Sequence, residues 1–248
     1  LGEREPSGFW VWAAASFFYP LSWLGKRDYR GVEKLPATGG ALLVMNHVSH
    51  LDPPNDAVFV HRNRRVPRFM AKDSLFKVPV FGRILAGSGG IPVYRGSAVA
   101  ADSLRAAHAA LREGKVVLIY PEGTITKDPT GWPMRARTGA ARLALENDVP
   151  VIPAARWGTN DIWNGYTKKF RPFPRKPVVT VLGDPVDLSA YRGKPQTAAL
   201  LREVTDLMMT EVRDLLAEVR GERPPAEFFN PAARSRAAAD TDRDEAAG

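Results

Sequence analysis

Short apolar runs rich in β-branched residues recur along this chain, at residues 41–45, 91–93, 116–120, 151–154 and 178–182. Each has the length and composition of a buried strand. Between them lie helical patterns at 54–60, 98–112, 138–146 and 197–219, several closed by a glycine or opened by a hydroxyl residue. Strand and helix in alternation predict an α/β domain, a central and mostly parallel sheet flanked by helices. A chain of 248 residues has room for one sizeable core, so a single domain is expected over 30–222. A hydrophobic segment at 1–29 precedes it. A polar tail at 223–248 follows, turning Ala-, Arg- and Asp-rich from Pro231; such a tail offers a core little to bury and is expected to be disordered.

The N-terminal segment adds a second constraint. Residues 9–24 read FWVWAAASFFYPLSWL, aromatic throughout and uncharged until Lys26 and Arg27. The run is shorter than the roughly 20 apolar residues that span a bilayer, and Pro20 is expected to break or kink a helix. Interfacial or shallow insertion is the expectation, because Trp and Tyr suit the headgroup level while Lys26, Arg27 and Arg30 suit lipid phosphates. A buried helix packed on the domain is the competing reading. A signal peptide is set aside, since Glu3, Arg4 and Glu5 precede the run and no small-residue cleavage site follows it.

The formal net charge of +8 belongs to the folded part, for residues 231–248 carry three arginines against four carboxylates. A basic surface fits nucleic acid or anionic lipid. Zinc-finger spacing, an aromatic RNA-binding signature and a basic recognition helix are all missing, so a membrane lipid surface is the expected partner and nucleic acid is not. With no cysteine, disulfides, thiolate metal sites and a cysteine nucleophile drop out, and the cytoplasm is the expected compartment.

Chemistry concentrates in the segment ALLVMNHVSHLDPPND, where an apolar run leads to Asn46 and His47, and Asp52 precedes Pro53 and Pro54 at a helix start. His47 and Asp52 thus fall on a strand-to-helix loop, where a carboxylate can fix the tautomer of an imidazole base. A capped turn is the plainer reading of so short a motif. Without a G-x-S-x-G elbow or a cysteine, a covalent acyl-enzyme has no evident carrier, and direct attack by a substrate hydroxyl is the simplest chemistry. Ser49 is a rival nucleophile, though its position favours capping the turn. His47, His50 and Asp52 as zinc ligands is a weaker alternative, with no further cluster to complete a site; no metal is expected. Farther on, YPEGT brings Glu122, Gly123 and Thr124 into one turn after a strand, where backbone N–H groups can meet an anion. GGIPVYR sets Arg95 beyond a short strand, and a guanidinium matches phosphate geometry. His108 falls on one helix face with Leu104, Ala107 and Leu111 and reads as structural. His61, beside Arg62, Arg64 and Arg65, reads as part of a basic surface run. The stretch YTKKFRPFPRK at 166–176 fits either headgroup contact or an ordinary long loop.

Taken in order, these segments resemble the glycerolipid acyltransferase family, in particular bacterial 1-acyl-sn-glycerol-3-phosphate acyltransferases. Asn46, His47, Ser49 and Asp52 look like its N-H-x-S-x-x-D block; Gly89, Ile91, Val93 and Arg95 like G-x-I-x-V-x-R; residues 120–124 like [FY]-P-E-G-T; and residues 149–153 like V-P-V-I-P. Ordered agreement over four blocks is far more specific than any one of them. The resemblance implies that His47 is the general base for the acceptor hydroxyl and that Asp52 orients it. It implies that Arg95, Glu122, Gly123 and Thr124 hold the acceptor's glycerol phosphate. Many relatives carry Arg or Ser directly after P-E-G-T, where this chain has Ile125, so a further cation is expected from Lys72, Arg135 or Arg137. His50 has no part in the pattern. The implied reaction moves a fatty acyl group from acyl-CoA or an acyl carrier protein to a lysophospholipid acceptor, giving phosphatidic acid, with no cofactor. The implied place is the cytoplasmic face of the cell membrane. Glycerol 3-phosphate or another lysolipid as acceptor, a hydrolase, and a non-catalytic lipid-binding protein of the same fold are the alternatives.

Overall fold

The computed structural model describes residues 5–94 and 100–234. In chain order its helices are α1 (Phe9–Trp23), α2 (Asp52–Arg62), α3 (Asp73–Phe76), α4 (Phe81–Gly87), α5 (Ala100–Arg112), α6 (Gly139–Glu146), α7 (Thr159–Ile162) and α8 (Ala198–Arg220). The strands are β1 (Gly25–Arg30), β2 (Ala41–Met45), β3 (Pro67–Lys72), β4 (Ile91–Val93), β5 (Val116–Ile119), β6 (Val151–Trp157) and β7 (Lys176–Leu182). They form one seven-stranded sheet in the order β1-β7-β6-β2-β5-β3-β4. Every neighbouring pair is parallel except β6 with β7. The expected α/β architecture with a mostly parallel sheet is the one found.

The two central strands show why the sheet sits where it does. All five residues of β2 are buried, as a strand covered on both faces requires. Alternate side chains supply separate cores. Leu42 and Val44 meet α5, α6 and α8 through Ala107, Leu111, Leu143, Val204 and Met208. Leu43 and Met45 meet α1 and α2 through Ala14, Phe18, Val58 and Phe59.

Several expectations change. Strands β1 (GKRDYR) and β3 (PRFMAK) were not foreseen, because β1 forms a sheet edge and tolerates charge, and β3 mixes charge with apolar residues. His61 is buried, not part of a basic surface: its Nδ1 and the Tyr19 hydroxyl share a hydrogen bond of 3.1 Å, and its ring lies against Trp12. Arg65 is buried too, donating to the carbonyls of Pro36, Gly39 and Gly114 at 2.6–2.7 Å. Finally, the domain does not stop at 222. Phe228 packs on the core, Arg213 donates to Pro225 O at 3.1 Å, and Arg135 N donates to Phe229 O at 2.9 Å. Two phenylalanines supply the apolar surface that the polar composition conceals.

Helix α1 continues through Pro20 to Trp23 without the expected break. It packs on the domain through Ala14, Phe18 and Ser22, yet Phe9, Trp12, Phe17 and Trp23 are each about half or more exposed, at 75%, 55%, 48% and 52%. No described helix is long and apolar enough to cross a membrane.

Candidate active site

Because β6, β2, β5, β3 and β4 run parallel side by side, their carboxyl ends share one edge of the sheet, the place where open α/β sheets form ligand clefts. β2 leads there to Asn46 and His47, β5 to the turn at 120–124, β6 to Thr159, and β3 ends on Lys72.

Asp52, first residue of α2, turns its buried carboxylate back over the preceding loop. Its Oδ2 accepts His47 Nδ1 at 2.8 Å, Val48 N at 2.6 Å and Ser49 N at 2.8 Å. Its Oδ1 accepts the Thr159 hydroxyl. Burial alone raises the carboxyl's pKa, but the His47 hydrogen bond and charge, the Arg156 charge and Thr159 outweigh it and hold the group below the ordinary carboxylate range. An ionised Asp52 favours the proton on Nδ1 and leaves Nε2 as the nitrogen able to accept one.

The rest of the ring is held from other elements. Tyr120 stacks on His47 with centroids 4.4 Å apart and planes 17° off parallel, and its hydroxyl donates to Asp56 Oδ2 at 2.6 Å. Asp56 pairs with Arg156, both side chains fully buried. Burial pushes the Arg156 guanidinium down to about 10, still a cation at neutral pH. Arg156 is fixed in turn by Asn46, whose side chain takes Arg156 N at 2.8 Å and gives to Arg156 O at 3.0 Å.

Glu122 does something other than face a ligand. Its two oxygens accept His47 N and Met134 N, each at 2.9 Å, and Thr126 N donates to His47 O at 2.7 Å. The turn after β5 therefore grips the backbone of His47 on both sides. Burial, against these hydrogen bonds, raises the Glu122 pKa to about 8.

Ser49 caps the loop as expected, donating to Trp163 O at 2.6 Å and accepting Leu51 N at 3.1 Å. Its hydroxyl is committed and fully buried, which argues against a nucleophile. Gly123 adopts φ 72° at the turn, and Thr124 is exposed beside it. Arg137 is exposed and tied to that turn by its N–H to Pro121 O at 2.9 Å. Lys72 is exposed at the end of β3, in register with Val93. Arg95 lies outside the described residues. Ile125 is buried, and its carbonyl accepts the Tyr166 hydroxyl at 2.7 Å. His50 tilts against Trp163 at 5.3 Å; among the described residues no three His, Cys, Asp or Glu side chains come together as metal ligands would. His108 is structural, joined to Asn147 and Glu146 at 2.7 Å each.

Arg156, Asp56 and Thr159 went unseen in the sequence. The one available signal was Arg156 itself, a charge inside the apolar run VIPAARW, which a buried strand tolerates only when paired.

An imidazole oriented by a buried carboxylate, on the ligand edge of a parallel sheet and beside a Ser49 hydroxyl committed elsewhere, is suited to activating a hydroxyl of the substrate or of water. The chain belongs to the Acyltransferase family, whose model matches residues 26–157. It is 30% identical over 154 residues to the chloroplastic 1-acyl-sn-glycerol-3-phosphate acyltransferase BAT2 of Brassica napus, covering 61% of this chain and 42% of that protein. It is 27% identical over 135 residues to the 1-acyl-sn-glycerol-3-phosphate acyltransferase of Borreliella burgdorferi, covering 54% and 52%. N-acylphosphatidylethanolamine synthase of Arabidopsis thaliana is 25% identical over 169 residues, covering 63% and 59%. The chain thus spans about half the length of these relatives. Its fold is similar to that of the 1-acyl-sn-glycerophosphate acyltransferase PlsC from Thermotoga maritima, with a TM-score of 0.63, 24% identity, and coverage of 84% of this chain and 80% of that one.

Proposed function

We propose that this protein moves a fatty acyl group from an acyl thioester to the free hydroxyl of 1-acyl-sn-glycerol 3-phosphate, making phosphatidic acid at a membrane surface. The observation that carries the chemistry is the 2.8 Å bond from His47 Nδ1 to Asp52, with the neighbouring Ser49 hydroxyl already committed. Nε2 takes the acceptor's hydroxyl proton as that oxygen attacks the thioester carbonyl. The C–O bond forms, the C–S bond breaks, and the departing thiolate takes the proton back from the imidazolium. No acyl-enzyme intervenes. Positioned base catalysis of this kind contributes about 100-fold to 10,000-fold, and holding both substrates together adds several kcal/mol more.

For the acceptor phosphate the reading uses Arg95, Lys72 and Arg137, with the backbone of Gly123 and Thr124 at the turn. Glu122 enters as the brace of His47. The donor is acyl-CoA or an acyl carrier protein. The exposed aromatic face of α1 rests in the interface of the cytoplasmic leaflet, in keeping with its packed opposite face and the lysines and arginines that follow it. N-acylphosphatidylethanolamine synthase among the relatives favours a second reading, a different acceptor at the same base. One experiment separates the two: incubation with labelled lysophosphatidate, glycerol 3-phosphate and amine-bearing phospholipids, with each donor type, and mass spectrometry of the product. Phosphatidic acid from lysophosphatidate is expected. Acylation of another acceptor alone would move the assignment, and thioester loss without a lipid product would make the protein a hydrolase.

A further inference from the structure

Beside the cleft, residues 163–176 form a built surface. Trp163 and Phe170 bridge as antiparallel partners, Asn164 N donates to Lys169 O at 3.0 Å, and Arg171 N donates to Ile162 O at 2.7 Å. Lys176 Nζ closes the next turn by donating to the carbonyls of Arg171 at 2.8 Å and Pro174 at 3.1 Å. Arg175 joins the loop to the end of α1: its guanidinium covers the Trp23 ring at 4.5 Å and donates to Gly25 O at 2.6 Å. Tyr166 joins it to the segment that follows β5 through Ile125 O.

This frame holds outward what soluble surfaces avoid. Tyr166, Phe170 and Phe173 are 58%, 54% and 66% exposed, next to the half-exposed Trp23. Lys168, Lys169 and Arg171 are exposed among them, and none is ion-paired to a carboxylate among the described residues. Lys26, exposed on β1, lies in register with Pro177 and extends the basic face. Asp161 is the carboxylate that shares the recess of Lys169, Arg171 and Lys176.

We infer that the loop 163–176, with Trp23 and Lys26, is a second membrane-contacting surface that selects anionic lipid. Exposed rings interleaved with unpaired cations match a headgroup layer, the rings entering the interface and the cations meeting lipid phosphates. An acidic protein surface would engage the cations and leave four large rings in water, so the lipid surface is the partner the composition fits. Through the Tyr166 contact, seating this loop on the bilayer brings the cleft to the lipid. The inference deepens the reading of α1 as a membrane-contacting helix and rests on it.

Co-sedimentation with phosphatidylcholine vesicles, with and without phosphatidylglycerol, tests it on the full chain. Each cation near an anionic surface strengthens binding about fivefold, so Lys168→Ser/Lys169→Ser/Arg171→Ser should lose on the order of 100-fold in affinity for the anionic vesicles and keep its weak binding to phosphatidylcholine alone. Raised salt should erase the difference between the proteins. Phe170→Ser/Phe173→Ser should weaken binding to both vesicle types at an unchanged melting temperature. Trp12→Ser/Phe17→Ser on α1 should do the same, which checks the helix separately. Anionic-vesicle binding that is unaltered in both loop variants while the α1 variant loses it overturns the loop and spares the helix, leaving the cations to an acidic protein. Wild-type protein that binds neither vesicle overturns both.

Discussion

Asp52 accepts four hydrogen bonds through two oxygens, three of them from the loop that bears His47. Asparagine has the same shape and keeps one acceptor, so Asp52→Asn should fold, while the imidazole loses the charge that fixes its tautomer and stabilises its cation. By analogy with other carboxylate-oriented histidines, kcat should fall about 1,000-fold to 10,000-fold with little change in KM for either substrate. A loss confined to KM would move Asp52 from the base to substrate binding. Glu122 makes a different prediction. Its pKa is raised to about 8 from an ordinary value of 4.5, so between those limits the folded protein holds a proton that the unfolded chain has lost. The sign follows: the contribution is full below about 4.5 and is lost as pH rises through about 8, worth up to a few kcal/mol. Glu122→Gln imitates the protonated acid. The melting temperature of the wild type should therefore decline relative to the variant from pH 5 to pH 8, and parallel curves would show that Glu122 is ionised throughout.

At the scale of elements, the site depends on a tie between β6 and α2. Arg156 is fully buried and paired with Asp56 while its charge also reaches Asp52, and removing the cation leaves Asp56 without its buried counter-ion. Arg156→Met should cost about 3–5 kcal/mol, read as a fall in thermal stability. Arg156→Met/Asp56→Asn keeps an acceptor for the Tyr120 hydroxyl and should recover most of the loss; a double variant no better than the single one would show that packing, not charge, is what Arg156 supplies. Elements also mark where sequence reading reached its limit. The apolar run of β2 was legible to the residue, since burial on both faces leaves an unbroken hydrophobic stretch, and the partly buried edge strand β4 was legible from Ile91 and Val93. Strands β1 and β3 were not, because β1 carries four charged residues and β3 two, and they take their places from parallel pairing with β7 and β5. Helix α1 packs on the domain through Phe18, as one of the two readings expected, and leaves Trp12 and Phe17 exposed.

In the whole molecule, two cores on opposite faces of one sheet hold five parallel carboxyl ends in line. Local motifs were enough to bring His47 and Asp52 together, for they are five residues apart and meet directly. The deeper partners were illegible for a physical reason: Arg156 and Thr159 reach the site from 100 or more residues away along the chain, and no local pattern records such pairing. A pairing 75 residues apart altered one assignment, turning Glu122 from an expected ligand of phosphate into the clamp of His47. The central claim is that His47, working without a covalent intermediate, drives acyl transfer to a lipid hydroxyl. Its most direct test is the initial rate of phosphatidic acid formation from lysophosphatidate and an acyl thioester, measured by mass spectrometry for the wild type and His47→Ala. The account predicts a product-forming wild type and a variant slower by about 100-fold to 10,000-fold at equal vesicle binding and melting temperature. A variant that makes phosphatidic acid at the wild-type rate would contradict it.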